Sequence, residues 1–316
     1  MRFFAAVSLS ALLLLACAAV RAGSASDQLT RENQLIRTRA ALLAAGDPDS
    51  LLAATATFLG NRAESAPQRL ALITRAATAA SDRRDLAWWQ LQLCAAVPGC
   101  EVQAIEARLQ ALDPGNAAAW SGSLLRGAAN KDAAGVAAAL GAMAAAQRFD
   151  VYWNQQVVAM SKAMIKTGTM EAKTAFVVAL GAAAAQPLPY KPIADVCRGE
   201  ARKRHDMLMT CRRLSGVLRQ GDTYLTESFG LSLARSVWAE GSSEYQDAAA
   251  GYRVVTYRTD EENHLMEKTG LSNAFAEQRL TQLSLHRTEQ EVVLADLASA
   301  GVKIDPPPRH GLFYTR

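Results

Sequence analysis

The nine residues LDPGNAAAW (112–120) decide how this chain is read. Pro114 has no backbone N–H and stops one helix. Asn116 carries a short amide suited to capping the next, and three alanines lead to Trp120, a side chain bulky enough to pack between layers. Outward from this corner, the chain from Asp27 onward alternates amphipathic segments with short polar breaks. The breaks fall at GDPDS (46–50), NRAESAP (61–67), SDRRD (81–85), VPGC (97–100), NKD (130–132) and QRFD (147–150). Each supplies Gly, Pro, Asp, Asn or Ser where a helix must end or be capped. Connections this short make antiparallel hairpins the expected local unit. Aromatics are only 6% of the chain and alanine is abundant, a composition that favours helices because alanine loses no side-chain entropy there.

The large aromatics add a period. Trp89, Trp120 and Trp153 are separated by 31 and 33 residues, and Phe58 lies 31 before Trp89. That spacing suits a two-helix repeat with one bulky side chain per unit. On these residues the corner resembles the junction between tetratricopeptide repeats, matching at Leu112, Asp113, Pro114, Asn116 and Trp120. It departs where Ser123-Leu124 replaces the Leu-Gly pair and where no second proline stands near Arg148. The resemblance implies an all-α fold of stacked antiparallel helix hairpins, an α-solenoid whose surface holds a protein or peptide.

The expected organisation is a helical-repeat domain over 27–186, a C-terminal helical region over 193–300 and an extended proline-rich tail over 301–316. The boundary is PLPYKP (187–192), three prolines in six residues, expected to lie outside any helix. Helices are expected over 193–217, 223–238 and 272–299. GYRVVTYRT (251–259) has the content of a strand but stands among helical segments, so a helix or an irregular linker is expected there.

The start of the chain reads as an export signal. Arg2 precedes an apolar run from Phe3 to Ala16, then a small-residue exit. Two processing routes are open. Cleavage after Ala22, with Val20 and Ala22 as the small side chains recognised, makes 1–22 a signal peptide. Alternatively Leu14-Leu15-Ala16-Cys17 resembles a lipobox, 1–16 is removed and Cys17 is lipidated. Formal net charge is +4, and loss of residues 1–22 removes Arg2 and Arg21 with no acid, leaving the mature chain nearly neutral. That charge balance argues against a nucleic-acid partner. In an oxidising compartment Cys94, Cys100, Cys197 and Cys211 are expected to form disulfides. Short spacings favour Cys94–Cys100 and Cys197–Cys211, although four cysteines allow three connectivities and free buried thiols are the alternative.

The chain contains no HExxH, GxGxxG, GxxxxGK[ST], GxSxG or SxxK motif, and nothing in it calls for a cofactor or metal. His205, His264, His286 and His310 are far apart. The stretch from 198 to 219 holds seven cations, Arg198, Arg202, Lys203, Arg204, Arg212, Arg213 and Arg219, against Glu200 and Asp206. They form either an anion-binding face or a solvated helix surface. The adjacent Trp88 and Trp89 are expected to point in different directions, leaving one as a surface contact. Three functions follow as expectations. The first is a non-enzymatic interaction protein of the cell envelope with a protein or peptide partner. The others are an enzyme with a dispersed His/carboxylate site and an envelope structural protein tethered to the membrane through Cys17.

Overall fold

The computed structural model describes residues 25–58, 62–199 and 203–307. Cys17, the export signal, Arg202, His310 and the end of the expected tail lie outside the described residues. The described chain is helical: α1 Ala25–Ala45, α2 Pro48–Ala56, α3 Arg62–Ala79, α4 Arg84–Cys94, α5 Val102–Leu112, a 3-10 turn Ala117–Trp120, α6 Ser121–Ala129, α7 Ala133–Ala145, α8 Trp153–Lys166, α9 Ala172–Ala184, α10 Tyr190–Arg198, α11 His205–Leu218, α12 Tyr224–Val237, α13 Ser243–Thr269, α14 Asn273–Leu285 and α15 Glu289–Ser299.

The polar breaks act as caps. The Asp47 carboxylate accepts from Ser50 N at 3.0 Å with Pro48 opening α2, and that of Asp132 accepts from Gly135 N at 2.9 Å. Thr223 and Ser272 cap α12 and α14 in the same way. The segment 251–259 is helical, inside α13.

Four expectations need correction. The helix foreseen over 272–299 is two, because Thr288 accepts from Glu291 N while the Glu291 carboxylate accepts from Thr288 N, a reciprocal capping box that starts a new helix. The segment 193–217 is divided after Arg198. Pro192 lies within the first turn of α10, where its missing N–H would have no helical partner in any case. NRAESAP is largely inside α3, which begins at Arg62 and carries Pro67.

Contacts divide the chain into two compact units, each drawn from three stretches. The first comprises residues to Ile105, Tyr152–Gln186 and Leu265–Arg287. In it α2 packs on α1, α3 and α8, α8 pairs with α9, and α14 returns to lie against both α8 and α9. Its core holds Leu51, Leu52, Ile73, Leu86, Trp88 and Trp89. Arg83 bridges Asp49 at 2.9 Å and the buried Asp85 at 2.6 Å.

The second unit comprises Glu106–Val151, Pro187–His264 and the residues from Thr288 onward. The chain thus leaves the first unit after Ile105, after Gln186 and after Arg287. In the second unit α6 pairs with α7, α7 with α11, and α11 with α12, while α10 touches α6, α11 and α12. Its corners are laced together. Asn116 Oδ1 accepts from Ala118 N at 3.0 Å and Asp150 N at 2.9 Å, and its Nδ2 donates to Asp150 O at 2.8 Å. Arg148 spans Asp113 at 2.7 Å and Asp150 at 2.5 Å. Asp222 Oδ1 accepts from Val151 N at 3.0 Å, and Asp222 O accepts from Glu289 N at 2.9 Å. At these corners polar side chains satisfy backbone groups that helix ends leave open.

Candidate functional site

Two places in the second unit concentrate charge. The first is the α10–α11 hairpin. Cys197 and Cys211 are bonded, with Cα atoms 5.6 Å apart, and both are buried. Gly199 ends α10; Lys203 and Arg204, just before α11, have exposed side chains, and Arg213 is exposed two residues past the staple's second cysteine, on α11. Arg204 Nη2 lies 2.7 Å from Asp206, and this hydrogen bond holds the Asp206 carboxyl below the usual carboxylate range. The other cations face inward duties. Arg212 lies over the Trp238 ring at 4.2 Å and donates to Val237 O at 3.1 Å. Arg198 Nη2 donates to Ser232 Oγ at 2.9 Å, and Arg219 pairs with Asp247 at 2.8 Å. Among the described cations of the run, Arg198, Arg212 and Arg219 fasten α10, α11 and α12 within this unit, while Lys203, Arg204 and Arg213 are exposed, Arg204 with Asp206 as its partner.

The second is a polar cluster where α12, α13 and α15 contribute Tyr224, Glu227, Arg258, Glu262, Glu289 and Gln290. Tyr224 is 2% exposed, and its hydroxyl has no hydrogen-bond partner among the described residues. Burial pushes its phenol upward, and the Arg258 charge opposes that rise while Glu227, Glu262 and Glu289 reinforce it. Burial also raises Glu227, against a hydrogen bond from Gln290 Nε2 at 3.1 Å and the nearby Arg258 and Arg219 charges. Glu289 accepts from Tyr224 N at 2.8 Å. Burial thus holds both the Glu227 carboxyl and the Tyr224 phenol toward their protonated forms. Sequence reading missed this cluster because its members come from three helices. The faint signal available was local: Tyr224 and Glu227 stand at i, i+3, and Arg258 and Glu262 at i, i+4. Nearby, Tyr190 stacks on Phe229 with centroids 4.5 Å apart, and its hydroxyl lies 2.7 Å from Thr226 Oγ1.

No protein-family model, curated protein or solved structure matches this chain.

The tryptophan pair in the first unit departs from expectation. Both Trp88 and Trp89 are buried, at 0% and 1% exposure, so neither is a surface contact. Adjacent side chains both reach the interior because α4 is enclosed around its whole circumference, buried from Asp85 to Cys94. Trp88 Nε1 donates to Gln186 Oε1 at 2.7 Å, and Gln186 Nε2 donates to Gln156 Oε1 at 2.9 Å. Trp120 and Trp153 are only half-buried. Cys94 and Cys100 are bonded across the turn that follows α4, with Cα atoms 5.5 Å apart.

His205 opens α11, His264 lies on α13 and His286 follows α14. Among the described residues no group of three or more His, Cys, Asp or Glu side chains is placed to hold a metal ion. No helix among them is long and apolar enough to cross a membrane.

Proposed function

We propose that this chain is an exported, non-enzymatic helical-repeat protein of the cell envelope that holds an acidic protein or peptide. The observation that carries this reading is the stapled α10–α11 hairpin, where Lys203, Arg204 and Arg213 stand exposed on a frame fixed by Cys197–Cys211. Exposed cations beside a disulfide staple attract acidic partners by charge complementarity. The two disulfides fit a compartment outside the cytoplasm, and the paired helices fit a repeat architecture.

The test is crosslinking and recovery from envelope extracts with the full chain and with a Lys203→Glu, Arg204→Glu, Arg213→Glu variant. A partner captured by the first, lost at high salt and reduced at least about tenfold with the variant supports the reading. No partner across conditions, or capture indifferent to the three reversals, overturns it. Intact mass separates the two envelope forms: a start at Gly23 marks a soluble protein, and a start at an acylated Cys17 marks a tethered structural one.

A second reading, an enzyme with a dispersed site, draws on the Tyr224–Glu227 pair. It replaces the scattered histidines with a carboxyl whose affinity for protons burial has raised.

A further inference from the structure

Helix α1 has two faces with different fates. One lies on its own unit: Thr38 is fully buried with Oγ1 2.7 Å from Thr169 Oγ1, Gln34 Nε2 donates to Thr169 O at 3.0 Å, and Leu42 is buried. The opposite face is exposed and carries Leu29, Asn33, Ile36, Ala40 and Leu43. These residues step by 4, 3, 4 and 3, the spacing of a two-stranded coiled-coil seam. Three are large hydrophobics left 60%, 48% and 39% exposed, at Leu29, Ile36 and Leu43. A stripe of this kind on a surface helix marks a contact surface.

We propose that this seam joins two copies of the chain, α1 against α1 in parallel, as a short coiled coil. Leu29, Ile36 and Leu43 occupy d positions, and Asn33 and Ala40 occupy a positions. The flanking charges identify the occupant. In this register Glu32 is a g residue and Arg37 the e residue five places on, so a parallel second copy sets Glu32 of each chain beside Arg37 of the other. The same arrangement places Asn33 opposite its own equivalent, where two amides can satisfy each other. An antiparallel pairing would instead face Asn33 with Ile36 and strand a polar group against an apolar one. It would also need Arg39, whose guanidinium is engaged 4.4 Å above the Phe58 ring. Thr38 sits on the far side of the helix from the seam, so dimerisation leaves the packing of α1 on its own unit intact.

The seam spans about 21 Å from Leu29 to Leu43, two heptads, which suits a weak, reversible dimer. The experiment is sedimentation equilibrium of the full chain and four variants, from about 1 to 200 μM, with oxidative crosslinking of a fifth. The wild type is expected to shift from monomer to dimer across this range. Ile36→Asp, on the exposed face, is expected to weaken association at least about 100-fold, with a melting curve matching the wild type's at about 1 μM, where both are monomeric. Glu32→Arg and Arg37→Glu are each expected to weaken it about fivefold, and their combination to restore it. Asn33→Cys is expected to crosslink two chains on oxidation. All variants share residues 1–24, so association driven by that stretch would be indifferent to them. A monomer throughout, or a dimer unaffected by Ile36→Asp, overturns the proposal. Failure of Asn33→Cys to crosslink, or of the double reversal to restore association, overturns the parallel pairing. The surface is remote in sequence from the α10–α11 hairpin, so the outcome is separable from that of the partner-capture experiment.

Discussion

Asn116 does the work of a cap and of a clasp. Its side chain bonds Ala118 N at the start of the 3-10 turn and both backbone groups of Asp150. Asn116→Ala therefore leaves buried backbone groups unpaired, and is expected to cost about 3 kcal/mol in urea unfolding. The capping role is legible in LDPGN. The clasp is not, because Asp150 is 34 residues away and only folding brings it near. Glu227 gives a test of charge. Its carboxyl is raised by burial, so the folded state holds the proton more tightly than the unfolded chain. Its contribution is complete below the unfolded value and is lost as pH rises through the folded one. Glu227→Gln keeps an acceptor for Gln290 but cannot ionise. Thermal melts from pH 4 to 8 are expected to show the wild type losing ground to Glu227→Gln as pH rises.

Helix positions were legible where polar caps interrupt an apolar period, as at Asp47, Asp132 and Thr223. They were misread where the period runs on through a break. Thr288 and Glu291 carry a capping-box spacing in plain sight, yet the apolar rhythm continues from α14 into α15 and conceals it. Close approach between helices was also hidden. A methyl group added at Gly230 would lie 2.7 Å from Arg219 N and 2.9 Å from Leu218 C, so α12 meets the end of α11 only because residue 230 lacks a side chain. Gly230→Ala is expected to destabilise the chain by about 2 kcal/mol in chemical denaturation, despite the better helix propensity of alanine. Both staples hold helix ends, and they close loops of different length, with cysteines 6 and 14 residues apart. Loop entropy predicts that removing Cys94–Cys100 costs about 2 kcal/mol and removing Cys197–Cys211 about 3 kcal/mol, measurable with paired Cys→Ala variants.

On the scale of the whole chain, each unit collects stretches that are distant in sequence. The hairpin pairs α2/α3 and α6/α7 follow from short connections and were legible as such, whereas the break between α8 and α9 was not read. The return of α14 onto α8 and α9 was not, since apolar faces in sequence do not name their partners. A chain ended at Gly270 lacks α14 and α15 and so leaves both units short of a stretch. It is expected to keep helical far-ultraviolet circular dichroism while losing the cooperative thermal transition of the full chain. This division also sets an order in time. The first unit waits for residues 265–287 and the second for those from 288, so neither closes while the chain is delivered from its N-terminus until nearly all of it has arrived. A polypeptide threaded through a narrow pore would remain open segment by segment, with the first body receiving its last stretch just ahead of the second.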